Sequence, residues 1–429
     1  MNVSKTQIIM ATIIILVGAW FLIASSKSKK QPYLTVVGSV DMADGLGKQS
    51  AELIDILKDD ITIGFKSCFP KINLEGTPPG IRAILKNTHC PIGKVIIYEE
   101  QLGPRALTFQ TVIKGLSNQT SIRIAYSMFE SSLIPPEWVV ALNYYFDAVA
   151  VPDKFLIDVY KNSGVNIPIF ELPLGLNLEQ FFNAPLKNKK NSPMVFANFS
   201  AALPRKNQLA LIKAFYQAFG NSQDVRLRLN SRNGTQDCIT AIRDEIRKLG
   251  VTNVEFTQMK MDKDLYFTRF QSVDCYVSLS SGEGFSIQPR EAMALGIPVI
   301  ATDNTGQSTI CATNLVRKVP SLKGIPAFYP LYNDYYGLFY DCTLKDSVQA
   351  LRDMYENYDY YLQKGAAART WTKKYSFNEL KRLYLGLIKP KKVVLSTVNS
   401  ITPDCLFTDS KELCEKFNKL TGVPFEDNR

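Results

Sequence analysis

The sequence predicts an α/β protein of two doubly wound parallel sheets, preceded by an apolar N-terminal helix. Three observations carry this. Short apolar runs alternate with helical periodicity through most of the chain, the pattern of parallel strands joined by crossover helices. That rhythm breaks in the polar stretch 179–193, "EQFFNAPLKNKKNSP", and restarts at "VFAN" (195–198), so the 429 residues divide into two units of ordinary domain size. Ahead of both, "IIMATIIILVGAWFLIA" (8–24) runs for 17 positions without a charge.

The first unit, 31–178, opens with the strand "YLTVVGSV" (33–40). "DMADGLGKQSAELIDILKDD" (41–60) then gives a glycine-containing turn and an amphipathic helix. "ITIGF" (61–65), "VIIYEE" (95–100), "IRIAYS" (122–127) and "AVAV" (148–151) supply further strands. The second unit, 194–375, follows "VFAN" with a helix at 207–219, "VRLRL" (225–229) and a helix at 237–249. "VEFTQ" (254–258), a helix at 263–272, "CYVSLS" (275–280), a helix at 289–295 and "IPVIATD" (297–303) continue it. Residues 347–388 are strongly helical, and the helix 376–389 is expected to cross back to the first unit. Residues 390–429 read as a tail whose role the sequence does not reveal.

The apolar run is long enough to span a bilayer as a short helix. Ala24–Ser25–Ser26 offers a rival reading as a signal-peptide cleavage site, but the length favours an uncleaved anchor over residues 6–26. Lys5 precedes the run and Lys27, Lys29 and Lys30 follow it, which leans towards a cytosolic body rather than a lumenal or secreted one. Sequons stand at Asn118, Asn198 and Asn233, and a glycan on Asn198 would obstruct the ligand loop described below.

Composition is that of a globular chain, 46% hydrophobic and 21% charged. The net charge of +10 suits an anionic partner without choosing one. No run of five basic residues occurs, so nucleic acid is not favoured. The eight cysteines form no C-x-x-C pair and read as small core residues rather than a metal or redox site. The single histidine, His89, has no partner at a motif spacing and reads as a loop residue.

Two stretches carry chemistry. In "SLSSGEGFSIQPREAMALGIPVIATD" (278–303) a strand ends in Ser-Ser-Gly-Glu-Gly and a helix begins near Pro289. The carboxyl end of a parallel strand beside a helix N-terminus is where α/β sheets bind ligands. There the N–H groups of Gly284, Phe285 and Ser286 form an anion site, and Glu283 and Glu291 can face one crevice. In "FANFSAALPRKNQLALIKAF" (196–215), Arg205 and Lys206 stand at the start of a helix, where two cations suit a diphosphate; a solvated basic turn is the plainer reading. "DGLGKQS" (44–50) fails as a phosphate loop, and Gly45 and Gly47 serve at least as a tight turn. Asp262 and Asp264 have D-x-D spacing but read as a turn and helix cap, so no metal is expected.

Together the two stretches closely resemble the family-four retaining glycosyltransferases. The resemblance implies the GT-B fold, two Rossmann-like domains facing a central cleft, and a metal-independent enzyme with no cofactor beyond its nucleotide-diphosphate sugar. It implies that Glu283 lies against donor-sugar hydroxyls and that Glu291 holds the nucleotide ribose. Arg205 and Lys206 would neutralise the diphosphate, the amides of Gly284, Phe285 and Ser286 would cradle it, and Gly45 and Gly47 would lie near donor and acceptor. The acceptor would be a glycan, glycoprotein glycan or lipid-linked sugar, whose hydroxyl attacks the donor sugar on the face from which the diphosphate departs. Many members place a histidine near the reacting sugar in the first domain. Here "AYSMFESS" (125–132) has none, and Glu130 is the acid in that region. A non-catalytic nucleotide-sugar-binding module and a nucleotide-sugar epimerase are the alternatives. The intact set of Glu283, Glu291, Arg205 and Lys206 argues against the first, and the single histidine against the second.

Overall fold

The computed structural model describes residues 31–42, 45–102, 112, 115 and 120–429. The apolar run at 8–24 lies outside them; among the described residues no helix is long and apolar enough to cross a membrane.

The first sheet holds β1 (Leu34–Gly38), β2 (Ile63–Ser67), β3 (Val95–Glu99), β4 (Ile122–Tyr126), β5 (Ala148–Val151) and β6 (Ile169–Glu171) in the order β2-β1-β3-β4-β5-β6. The second holds β7 (Met194–Asn198), β8 (Val225–Asn230), β9 (Val254–Thr257), β10 (Cys275–Ser278), β11 (Val299–Thr302) and β12 (Arg317–Val319) in the order β12-β11-β10-β7-β8-β9. Every pairing in both sheets is parallel. Helices cover both faces, so central strands such as β10 and β11 are buried at every residue and read as unbroken apolar runs. Each sheet reverses its strand order once, between β1 and β3 in the first and between β7 and β10 in the second. Such switch points open a crevice at the carboxyl ends of the strands.

The helix Phe377–Ile388 starts where the Ser376 side chain accepts from the Glu379 N–H, as "S-x-x-E" leads one to expect. It runs back to the first domain, where Tyr384 Oη accepts from the Gly175 amide (3.2 Å) and Lys381 pairs with Asp60 (2.6 Å). Residues 390–429 fold as a small sheet of β15 (Lys392–Leu395), β16 (Ser400–Ile401), β17 (Cys405–Thr408) and β18 (Phe425–Asp427) with a helix at Lys411–Thr421. Lys416 fastens this unit to Asp147 of the first domain at 2.7 and 2.8 Å. An antiparallel hairpin, β13 (Lys323–Tyr329) and β14 (Asp334–Asp341), follows β12.

A candidate active site between the two domains

Both chemical stretches emerge at the second sheet's switch point, one from β7 and the other from β10. Arg205 and Lys206 do not begin the long helix as the sequence reading has it. They lie in a separate 3-10 turn, Pro204–Lys206, closed by Asn207 in the left-handed region (φ 53°), and the helix proper starts at Gln208. Asparagine tolerates that conformation, and its side-chain amide is spent on Leu279 O (3.0 Å) and Asp341 Oδ1 (2.7 Å). The turn is held down by its own backbone, since Arg205 O accepts from the Ser281 amide (2.8 Å) and Ser280 Oγ (3.0 Å). Both cations therefore point at the loop after β10.

There they meet Glu283. Lys206 Nζ lies 2.5 Å from Glu283 Oε1 and Arg205 Nη1 lies 3.3 Å from Oε2. Arg205 Nη1 also donates to Gly282 O (2.8 Å), and Nη2 donates to Glu130 Oε1 (2.7 Å) across the domain boundary. Two acids and two cations thus form one nearly neutral, largely buried cluster. Burial pushes the Glu283 carboxyl up, but Lys206 and Arg205 overcome it and hold the group below its usual range. Burial draws Lys206 below its ordinary value against the pull of Glu283. For Arg205 burial is outweighed by Glu130 and Glu283, and its pKa rises.

The glycines around Glu283 are there for closeness. A Cβ on Gly282 would stand 2.4 Å from Glu130 O and 2.6 Å from the Phe339 ring, so the loop could not lie against the first domain. One on Gly284 would press on Met128 and Phe129 O at 3.3 Å. Gly306 matters equally and was not singled out in the sequence. Its amide donates to Glu283 O (2.9 Å) while Thr305 Oγ1 accepts from the Glu283 amide (2.9 Å). A Cβ there would lie 2.8 Å from Glu283 O and 2.9 Å from Phe285 N.

The next helix, Ile287–Ala294, begins earlier than the Pro289 start expected from sequence. Ser286 precedes it at φ 68°, an uncommon conformation for a residue with a side chain, and makes no side-chain cap. The first amides are left uncapped beside the cation cluster, the disposition of an anion site. Phe285 supplies only backbone to this crevice. Its ring is buried against Arg290, whose guanidinium lies 3.8 Å from the ring centroid. Arg290 is wholly buried and reaches Asp153 of the first domain (3.4 Å), which also accepts from Thr309 (2.8 Å). A buried pair of this kind fixes how the domains meet more than it stabilises them.

Glu291, one turn into that helix, accepts from Tyr266 Oη (2.6 Å). Burial raises its pKa, with Lys48 and Tyr266 opposing. Lys48 belongs to the first domain's helix Gly45–Leu57 and also faces Glu52 (3.7 Å), so a cation missed in the sequence lies across the cleft from Glu291. Gly45 and Gly47 lie in the first turn of that helix rather than in a turn before it. The reason is packing: a Cβ on Gly47 would stand 2.4 Å from Asp41 N. His89 sits exposed in a turn far along the chain from these residues, and Asp262 caps the helix Lys263–Gln271 through the Leu265 amide (2.8 Å).

Residues 180–316 match the family model described as glycosyl transferases group 1, a span that takes in Arg205, Lys206, Glu283 and Glu291. This chain carries a group 1 glycosyltransferase domain. Its fold agrees with solved GT-B structures. Sucrose-phosphate synthase from Thermosynechococcus elongatus superposes with a TM-score of 0.59 over 83% of this chain and 99% of its own, at 16% identity. Anabaena HepE, solved with UDP and glucose, gives 0.55 over 84% of this chain and 100% of its own, at 14% identity. S. aureus TarM, solved with fondaparinux, alpha-GlcNAc-glycerol and UDP, gives 0.51 over 69% of this chain at 15% identity, and the chain spans only 55% of TarM's length. Uncharacterized protein 356 of Sulfolobus islandicus rod-shaped virus 1 is 18% identical over 292 residues, 63% of this chain and 77% of its own. Glu130, Lys48 and the hairpin β13–β14 lie outside the family match.

Proposed function

We propose that the protein is a retaining glycosyltransferase, moving a sugar from a nucleotide-diphosphate donor to a hydroxyl of a glycan, glycoprotein glycan or lipid-linked acceptor. One observation carries the reading: Arg205 and Lys206 converge on Glu283 at the switch point of the second sheet.

The charge balance gives the mechanism. The carboxylates of Glu130 and Glu283 pair with the two cations. A diphosphate brings roughly two negative charges that a neutral, buried cluster cannot absorb unless a carboxylate yields its place. Glu283 then turns to the sugar hydroxyls, while Arg205, Lys206 and the backbone amides at 284–286 hold the phosphates. As the glycosidic bond breaks, charge accumulates on the leaving diphosphate. Cations fixed there stabilise the transition state more than the ground state. The departing phosphate accepts the acceptor's proton on the same face, so no side-chain nucleophile is required. Glu291 grips the ribose, with Lys48 balancing its charge. In the same reading residues 6–26 tether the enzyme to a membrane with its body in the cytosol. It accords with this that Asn198 is buried, with its amide bound to Val277 O (2.8 Å), where a glycan has no room.

A screen of nucleotide sugars by nucleotide release tests the proposal, with UDP-sugars first because the HepE and TarM structures hold UDP. Release with a product of retained anomeric configuration is expected. Donor binding without release would mark a non-catalytic module, and an epimerised free sugar would mark an epimerase. Gly306→Ala should lower turnover by about tenfold or more through displacement of the 283–285 loop, and should lower the thermal midpoint as well, because the added Cβ meets backbone that must shift. Unaltered turnover in that variant would show that the loop need not be held there.

A further inference from the structure

The hairpin β13–β14 touches both halves of the acid–cation cluster. Its base belongs to the donor loop. Ser281 O accepts from the Tyr340 amide (2.8 Å), Asn304 Nδ2 donates to Tyr340 O (3.0 Å), and Phe339 packs on Gly282. Its tip belongs to the first domain. Ser131 Oγ donates to Tyr336 O (2.6 Å), the Ser132 amide donates to Leu338 O (3.1 Å), and the Leu338 amide donates back to Ser132 Oγ (2.9 Å). Trp138 Nε1 donates to Tyr332 Oη (3.0 Å), and Phe129 stacks on Tyr329 with centroids 4.6 Å apart.

These contacts are not scattered. Ser131 and Ser132 directly follow Glu130, and Ser281 and Gly282 directly precede Glu283. The hairpin is thus bonded beside each of the two acids that share Arg205. The Tyr329 hydroxyl is buried with no hydrogen-bond partner among the described residues, within electrostatic reach of Glu130 and Arg205, and burial keeps it protonated. Gly337 makes the fit possible. It sits at φ 65°, and a Cβ there would lie 2.5 Å from the Leu133 amide nitrogen.

We propose that this hairpin is a strap by which the donor domain positions Glu130 against the reacting centre, with Tyr329 as a positioning residue for transfer rather than for donor binding. The inference rests on the glycosyltransferase reading but makes a separate claim. A strap that orders acceptor-side groups acts on kcat; one that only supports the donor loop would act on nucleotide-sugar KM.

The test uses the full chain with three variants. Tyr329→Phe keeps the stack on Phe129 and removes only the hydroxyl. Ser132→Ala removes one strap bond, and Gly337→Ala clashes with the tip. Expected results are a kcat for transfer lowered at least about fivefold in Tyr329→Phe and Ser132→Ala, and more in Gly337→Ala. Donor KM should stay within about twofold throughout. Small-angle scattering should show a larger radius of gyration for Gly337→Ala than for the wild type. Wild-type kcat in both milder variants, or a donor KM that rises in step with a falling kcat, overturns the strap. If the wild type itself releases no nucleotide from any donor, the glycosyltransferase reading fails instead. An unchanged radius for a folded Gly337→Ala then still refutes the strap.

Discussion

Lys206→Ala should lower turnover by about 10²–10³, the usual cost of losing one fixed donor to transition-state charge, with the fold intact. The side chain lies in a short turn clasped by backbone bonds to Ser280 and Ser281, so its removal leaves the scaffold in place. Nucleotide release under saturating donor measures the effect, and unchanged turnover would sink the assignment of the diphosphate to these cations. The two acids should separate in the same assay. Glu283→Ala should mainly lower kcat, because Glu283 is placed among the phosphate-binding cations. Glu291→Gln should mainly raise donor KM, because Glu291 lies a turn into the next helix, against Tyr266. Should both variants lose kcat alone, with donor KM untouched, the division of labour proposed for them is wrong.

Glu99→Gln is expected to change stability more than any surface substitution, and to do so as a function of pH. Glu99 ends β3 at the first sheet's switch point and is almost wholly buried. Burial raises its pKa to about 8, with Ser50 and Gln49 opposing, against an ordinary 4.5. The folded chain therefore holds a proton that the unfolded chain has released between pH 4.5 and about 8. Stability contributed by this group is full below pH 4.5 and declines as pH rises through that window. The loss approaches about 5 kcal/mol if the whole displacement is expressed. Glutamine mimics the neutral acid at every pH. Urea midpoints should therefore differ little between wild type and Glu99→Gln at pH 5, and the variant should be the more stable at pH 8.5. Parallel midpoints across that range would mean Glu99 is charged in the fold.

The sequence read most clearly where local pattern and burial agree. β5 and the start of β3 fall at the expected residues, because a strand buried on both faces is an unbroken apolar run. β4 and β8 also start where expected, although Arg123 interrupts the first and the second alternates Val225, Leu227 and Leu229 with arginines. The hairpin gave no such signal. "KGIPAFYPLYNDYYGLFYD" (323–341) carries Pro326 within β13 and Pro330 at its turn, and prolines argue against a strand unless it lies at an edge. The chain after 389 was equally silent. β16 and β18 hold two and three residues, too short for any period to show.

The sequence by itself determined the α/β class, the division into two units, and the acids and cations at the ends of β7 and β10, since glycine, charge and strand order are local properties. Only the tertiary structure decided their partners. Glu130 and Arg205 are 75 residues apart, Asp153 and Arg290 are 137 apart, and Ser132 and Leu338 are 206 apart. Such contacts leave no periodicity behind, because they depend on how two domains close on each other. Lys48 facing Glu291, Gly306 beneath the Glu283 loop, and the hairpin across the cleft all belong to that closure.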